Sequence, residues 1–185
     1  MFHPISIKEE SAAMPALEPE TEIVAVSLPP EEYSLVEDLA REREVRLATV
    51  ARALVLQVLE ETTSDDPTVR DTAIDTAADA KRYDTEQRRQ RAKASLGTKG
   101  KGQATPTTRM AVTVPAEAEV ALYQLATAHR TTSGLVIRSI IRQRLSKDWP
   151  HKKAVADAVD QEHAIEIERR RTAIHDYRPW EGNIK

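Results

Sequence analysis

Two stretches of the chain, 86 positions apart, carry the same order of hydrophobic and polar residues. Each begins with strict alternation. Val24, Val26 and Leu28 fall on one side of the first run, and Ile23, Ala25 and Ser27 on the other. In the second run Met110, Val112 and Val114 oppose Arg109, Ala111 and Thr113. A period of two predicts a strand with one buried face. Pro29 and Pro115 end these runs, and Glu31 and Glu117 follow them. Proline without an N–H, then a carboxylate, suits the first turn of a helix and its positive end. The spacing next becomes helical. Val36, Leu39 and Ala40 mark a first helix, matched by Leu122, Leu125 and Ala126. After a polar turn, a second helix carries two apolar rows, Val50, Leu54, Val58 and Ala51, Val55, Leu59. Its counterpart carries Val136 and Ile140 beside Ile137, Ile141 and Leu145.

The match runs without gaps from Ile23 to Leu59 and from Arg109 to Leu145, with ten identities in 37 positions. A strand and two helices in fewer than about 40 residues bury too little apolar surface to fold alone. A lone strand also leaves both edges open. Antiparallel pairing of the two strands, with the helices interlocked, removes both defects, within one chain or between chains. The expected fold is therefore mainly α: two β-α-α units forming a pseudo-dimer about a two-stranded antiparallel ribbon, plus a linker helix and a C-terminal helix. The expected organisation is a disordered acidic segment (1–21), a first unit (22–61), a helical basic linker (62–108), a second unit (109–147) and a helical tail (148–185). The linker helix is expected from Pro67 to about Leu96, with Val69, Ala73, Ala77 and Ala80 in line, before a flexible connector holding Gly97, Gly100 and Gly102. In the tail, Ala154, Ala158 and Ile165 give a thin stripe. Its last residues include Tyr177 and Trp180, which either anchor a protein partner or pack back on the core.

Composition narrows the class. Apolar residues make up 40% of the chain but only 4% are aromatic, which fits small aliphatic cores better than one large one. There is no cysteine, hence no disulfide framework or thiolate metal site. No run approaches the length of a membrane span, so a soluble, cytoplasmic protein without a membrane partner is expected. The net charge of −3 conceals segregation: residues 1–61 carry −8 and residues 80–147 carry +10. A basic centre behind an acidic front points to a polyanionic partner, or to charged solvent-facing helices. The second half of the linker helix either follows phosphates or is simply solvated. Catalysis has no visible basis. The five histidines are scattered and no metalloprotease, phosphate-loop or dinucleotide motif is present. His163 and Glu166 share a helix face, which reads as a surface pair rather than a metal site. No enzyme activity, cofactor or metal is expected.

An alternating strand ending in Leu-Pro or Val-Pro, a Glu-Glu or Ala-Glu helix start, and Leu-Ala before the turn all occur twice. This layout resembles the ribbon-helix-helix superfamily, the Arc/MetJ class, over about 74 residues, and the doubling resembles its branch with two units in one chain. The resemblance implies a sequence-specific protein for double-stranded DNA, most simply a transcriptional repressor, that inserts the ribbon into the major groove. The base-reading side chains would be Arg109, Ala111 and Thr113 with Ile23, Ala25 and Ser27. Arg is suited to guanine, and Thr and Ala to the thymine methyl. The resemblance also implies a phosphate at the start of each second helix. The candidates there are Arg130, Thr131, Thr132 and Ser133 in the second unit and Arg46 and Thr49 in the first. Ile23 and Ala25 offer no hydrogen bond, so the second unit is expected to dominate. Alternatives are an antitoxin whose tail (148–185) binds a toxin, a relaxosome accessory protein, and a scaffold that binds no DNA.

Overall fold

The structure, a computed structural model, describes residues 20–97 and 107–176. The expectations for the acidic segment before residue 20, for Gly100 and Gly102, and for Tyr177 and Trp180 lie outside the described residues. The order is β1 (Thr21–Leu28), α1 (Pro30–Glu42), α2 (Leu47–Thr62), α3 (Pro67–Gly97), β2 (Thr108–Pro115), α4 (Ala116–Ala128), α5 (Ser133–Arg144) and α6 (Lys152–Asp176). The fold is mainly helical, with one two-stranded antiparallel sheet. Pro29 and Pro115 stand at the caps of α1 and α4, where the missing N–H costs no helical bond.

β1 pairs with β2 inside the one chain. Ala25 faces Ala111, Ile23 faces Thr113, and Ser27 faces Arg109. Ala25 and Ala111 are equivalent positions of the two repeats, so exchanging the repeats maps the ladder onto itself. Val26, Leu28, Val112 and Val114 are buried beneath the sheet, as the alternation predicts. The second helices cross over: α2 packs on β2, and α5 on β1. Val50, Leu54, Val55 and Val58 meet Val136, Ile137, Ile140 and Ile141 in the same buried cluster. Where α5 crosses β1 the approach is close. A Cβ added at Gly134 would lie 2.8 Å from the Ala25 carbonyl oxygen.

The sequence pattern stops short of what folds. Each β-α-α unit continues into a third helix, and the third helices also cross over. α3 packs mainly on α5 and also on α2, while α6 packs on α2. The offset of 86 persists here, since Pro67 corresponds to Lys153 and α6 begins at Lys152. Equivalent positions are buried in both helices, Ala73 with Val159 and Thr76 with Glu162. The first half of the linker is therefore a packed element rather than a solvated spacer. In α6 the stripe of Ala154, Ala158 and Ile165 is not the buried one. Ala154 and Ile165 are exposed. The helix is turned by about one residue, so that Val155, Val159 and Glu162 face α2, giving larger apolar contact and an ion pair to Arg52.

Candidate nucleic-acid interface

The outer face of the ribbon holds the six side chains singled out by alternation. Ile23, Ala25, Ser27, Arg109 and Ala111 are exposed and Thr113 is half-buried. Ile23 is 70% exposed. The central Ala25–Ala111 pair keeps the ribbon thin, and the hydrogen-bonding groups sit toward its ends. A two-stranded ribbon of this kind has the width that a DNA major groove accepts.

The starts of the two second helices differ. At α5, Thr132 is the cap, and its Oγ1 accepts a 3.4 Å bond from the Leu135 amide. The first amides of a helix have no intrahelical acceptor. Those of Ser133 and Gly134 find none among the described residues. Arg130 is exposed, in a left-handed backbone conformation (φ 51), and makes no ion pair among the described residues. Thr131 differs from its neighbours. Its hydroxyl is buried and has no hydrogen-bond partner among the described residues. At α2 the equivalent cap position is Arg46, which gives no side-chain cap. Here a carboxylate from α6 is seated. Glu166 Oε1 lies 2.7 Å from Arg46 Nη2, and its Oε2 accepts a 2.7 Å hydrogen bond from Thr49 Oγ1. Arg170 pairs with the same carboxylate, and Arg43 pairs with Asp160 at 3.1 Å. Thr49 is buried. The two phosphate candidates of the first unit, Arg46 and Thr49, are thus already bound to Glu166.

The third helices explain the contrast. On α3, Lys81 and Arg82 line a shallow recess with His129 and Arg130. Further along, Lys81, Arg88 and Arg89 line a second recess with Arg130. Exposed pairs Arg82–Asp79 and Arg88–Asp84 temper this charge, but such pairs are worth little. Below the surface, Arg138 is buried. It donates to Glu32 at 2.6 Å and to the Tyr83 hydroxyl at 2.6 Å, and its guanidinium lies over the Tyr83 ring. Burial, and then the Glu32 charge, push the Tyr83 hydroxyl above the ordinary phenol range.

No protein-family model, curated protein or solved structure matches the chain. Among the described residues, no helix is long and apolar enough to cross a membrane. No group of three or more histidine and acidic side chains among them is placed to hold a metal ion.

The structure adds residues that the sequence did not single out in these roles, chiefly Tyr83, Glu162 and the anchor-filling Glu166. One signal was present. Arg52 and Arg138 are equivalent, yet Glu32, the partner of Arg138, corresponds to Ala118. Arg52 therefore needed an acid from elsewhere, and Glu162 supplies it at 2.8 Å.

Proposed function

We propose that this chain is a sequence-specific DNA-binding protein of the ribbon-helix-helix kind, acting as a transcriptional repressor, with its two units folded on each other as a pseudo-dimer. The observation that supports it most is the ribbon. Two strands from the two repeats pair in register, with one face sealed by the core and the other presenting Arg109, Thr113 and Ser27 around a thin alanine centre. On a groove-reading ribbon the exposed Ile23 would make an apolar contact with a thymine methyl. The antitoxin alternative loses support, because α6 packs on α2 through Val155, Val159 and Glu162 instead of standing free as a toxin-binding arm.

Selection from a randomised duplex library, followed by anisotropy titration of the winner, tests this. The expected outcome is a discrete motif bound at least about a thousandfold more tightly than bulk DNA. Arg109→Ala should cost about 1–3 kcal/mol and relax one base pair, and Ser27→Ala only about 0.5–1.5 kcal/mol. Failure to enrich any motif would sink the proposal. A larger loss from Ser27→Ala than from Arg109→Ala would make the first strand the reader.

A further inference from the structure

We propose that the protein grips the DNA backbone at one end of its ribbon only, because Glu166 closes the anchor at the other end as a built-in stand-in for a phosphate. This rests on the DNA-binding reading above and concerns the phosphodiester backbone rather than the bases.

The two anchors are equivalent by sequence, Arg46 with Thr132, Leu47 with Ser133, and Ala48 with Gly134. Both helix starts favour an anion through unpaired amides and the helix dipole. At α2 that anion is internal. Glu166 places one oxygen on the Arg46 guanidinium and the other on the Thr49 hydroxyl, each at 2.7 Å. An oxygen pair shared by an arginine and a hydroxyl is how a phosphate would be held there. Arg170 completes the carboxylate's shell, and Asp160 neutralises Arg43 beside it. An incoming phosphate would have to displace Glu166 and approach Asp160, a like charge.

At the other end the same positions are empty of acid. Glu166 corresponds to Ala80, and Asp160 to Ile74. The next residues of α3 are instead Lys81 and Arg82, and with Arg88 and Arg89 they outnumber Asp84, the acid that lines the recesses around Arg130 with them. Two helices that pack alike therefore deliver opposite charge to the two ends. The contact surface for DNA runs from the ribbon across the start of α5 and along α3, and does not extend over α2.

The test uses the full chain on its selected duplex. Hydroxyl-radical footprinting of the wild type should show backbone protection extending beyond the ribbon's base pairs on one side only. Glu166→Gln removes the internal anion's charge. It should raise affinity by about tenfold at low salt, steepen the slope of log K against log salt by about 0.9, the contribution of one phosphate, and add protection on the bare side. Arg46→Ala placed in the Glu166→Gln protein should cancel these gains. Arg88→Ala with Arg89→Ala should instead shorten the existing protection and flatten the slope. A symmetric wild-type footprint overturns the inference, even if Glu166→Gln fails to fold. So does a folded Glu166→Gln protein whose slope is unchanged. In both cases sequence-specific binding by the wild type would leave the proposed function standing. If the wild type binds no duplex, the proposed function fails, and this inference fails with it.

Discussion

Gly134 marks a close approach between the two halves. Its missing side chain lets the first turn of α5 rest on β1, and a Cβ there would sit 2.8 Å from the Ala25 carbonyl oxygen. A backbone carbonyl within a paired strand has little freedom to give way. Gly134→Ala should therefore push α5 from the ribbon despite alanine's better helix propensity, costing about 1–3 kcal/mol as overpacking. Denaturant titration should show a lower midpoint with an unchanged slope, since the surface exposed on unfolding is the same. A stabilised variant would mean that helix propensity outweighs the contact. Ala48 occupies the equivalent place in α2, so the constraint belongs to one side of the molecule. The left-handed residues are shared instead: Glu44 and Arg130 occupy equivalent turns with φ of 54 and 51.

At the scale of elements, the third helices complete arginines that the repeats share. Arg138 finds Glu32 from α1 and Tyr83 from α3, whereas Arg52 depends on Glu162 from α6. Burial lifts the Glu162 carboxyl above the ordinary glutamate range. Glu166 adds to that shift, while Arg52 and Arg169 oppose it. The folded chain thus binds this proton more tightly than the unfolded chain does. Its contribution to stability is fully present below the unfolded pKa and is lost as pH rises through the raised folded value. Glu162→Gln has no such loss. The stability of the variant minus that of the wild type should climb with pH across that window and level off on either side. Chemical unfolding at closely spaced pH values measures it, and a difference that falls with pH would contradict the assignment. Strands and first and second helices were legible because alternation and the Val, Leu and Ile rows mark their buried faces. The third helices were less so. α3 buries mostly alanines and Thr76, and α6 buries Glu162, so neither carries a strong apolar stripe. The six ribbon residues follow from period two alone. The seat of Glu166 on Thr49 spans 117 positions and depends on how α6 is rotated against α2, which no local pattern encodes.

For the whole molecule, the decisive feature is that the strands pair within one chain. Two chains that each supplied one strand would unfold with a midpoint that rises with protein concentration, because dissociation accompanies unfolding. Here β2 reaches β1 tethered through α3, so the partner is present at an effective concentration that dilution does not change. The helices reinforce the tether. α3 leaves the first repeat to pack on α5 of the second, and α6 returns from the second to pack on α2 of the first. α3 also keeps its contact with α2 of its own repeat, so it ties the two repeats together, and separation would uncover Ala73 and Ala77 as well as Val155 and Val159. The thermal midpoint of the full chain should therefore be the same, within error, over a roughly hundredfold range of concentration, with a sedimenting mass of one chain. The chain cut to residues 20–97 should behave in the opposite way. It keeps β1, α1, α2 and α3 but loses the strand that pairs with β1 and the helices that cover the valines of α2. It should either remain unfolded or pair with itself, and any midpoint it shows should move with concentration. A concentration-dependent midpoint in the full chain would mean that the ribbon forms between chains, with each repeat borrowing its partner strand from a second copy.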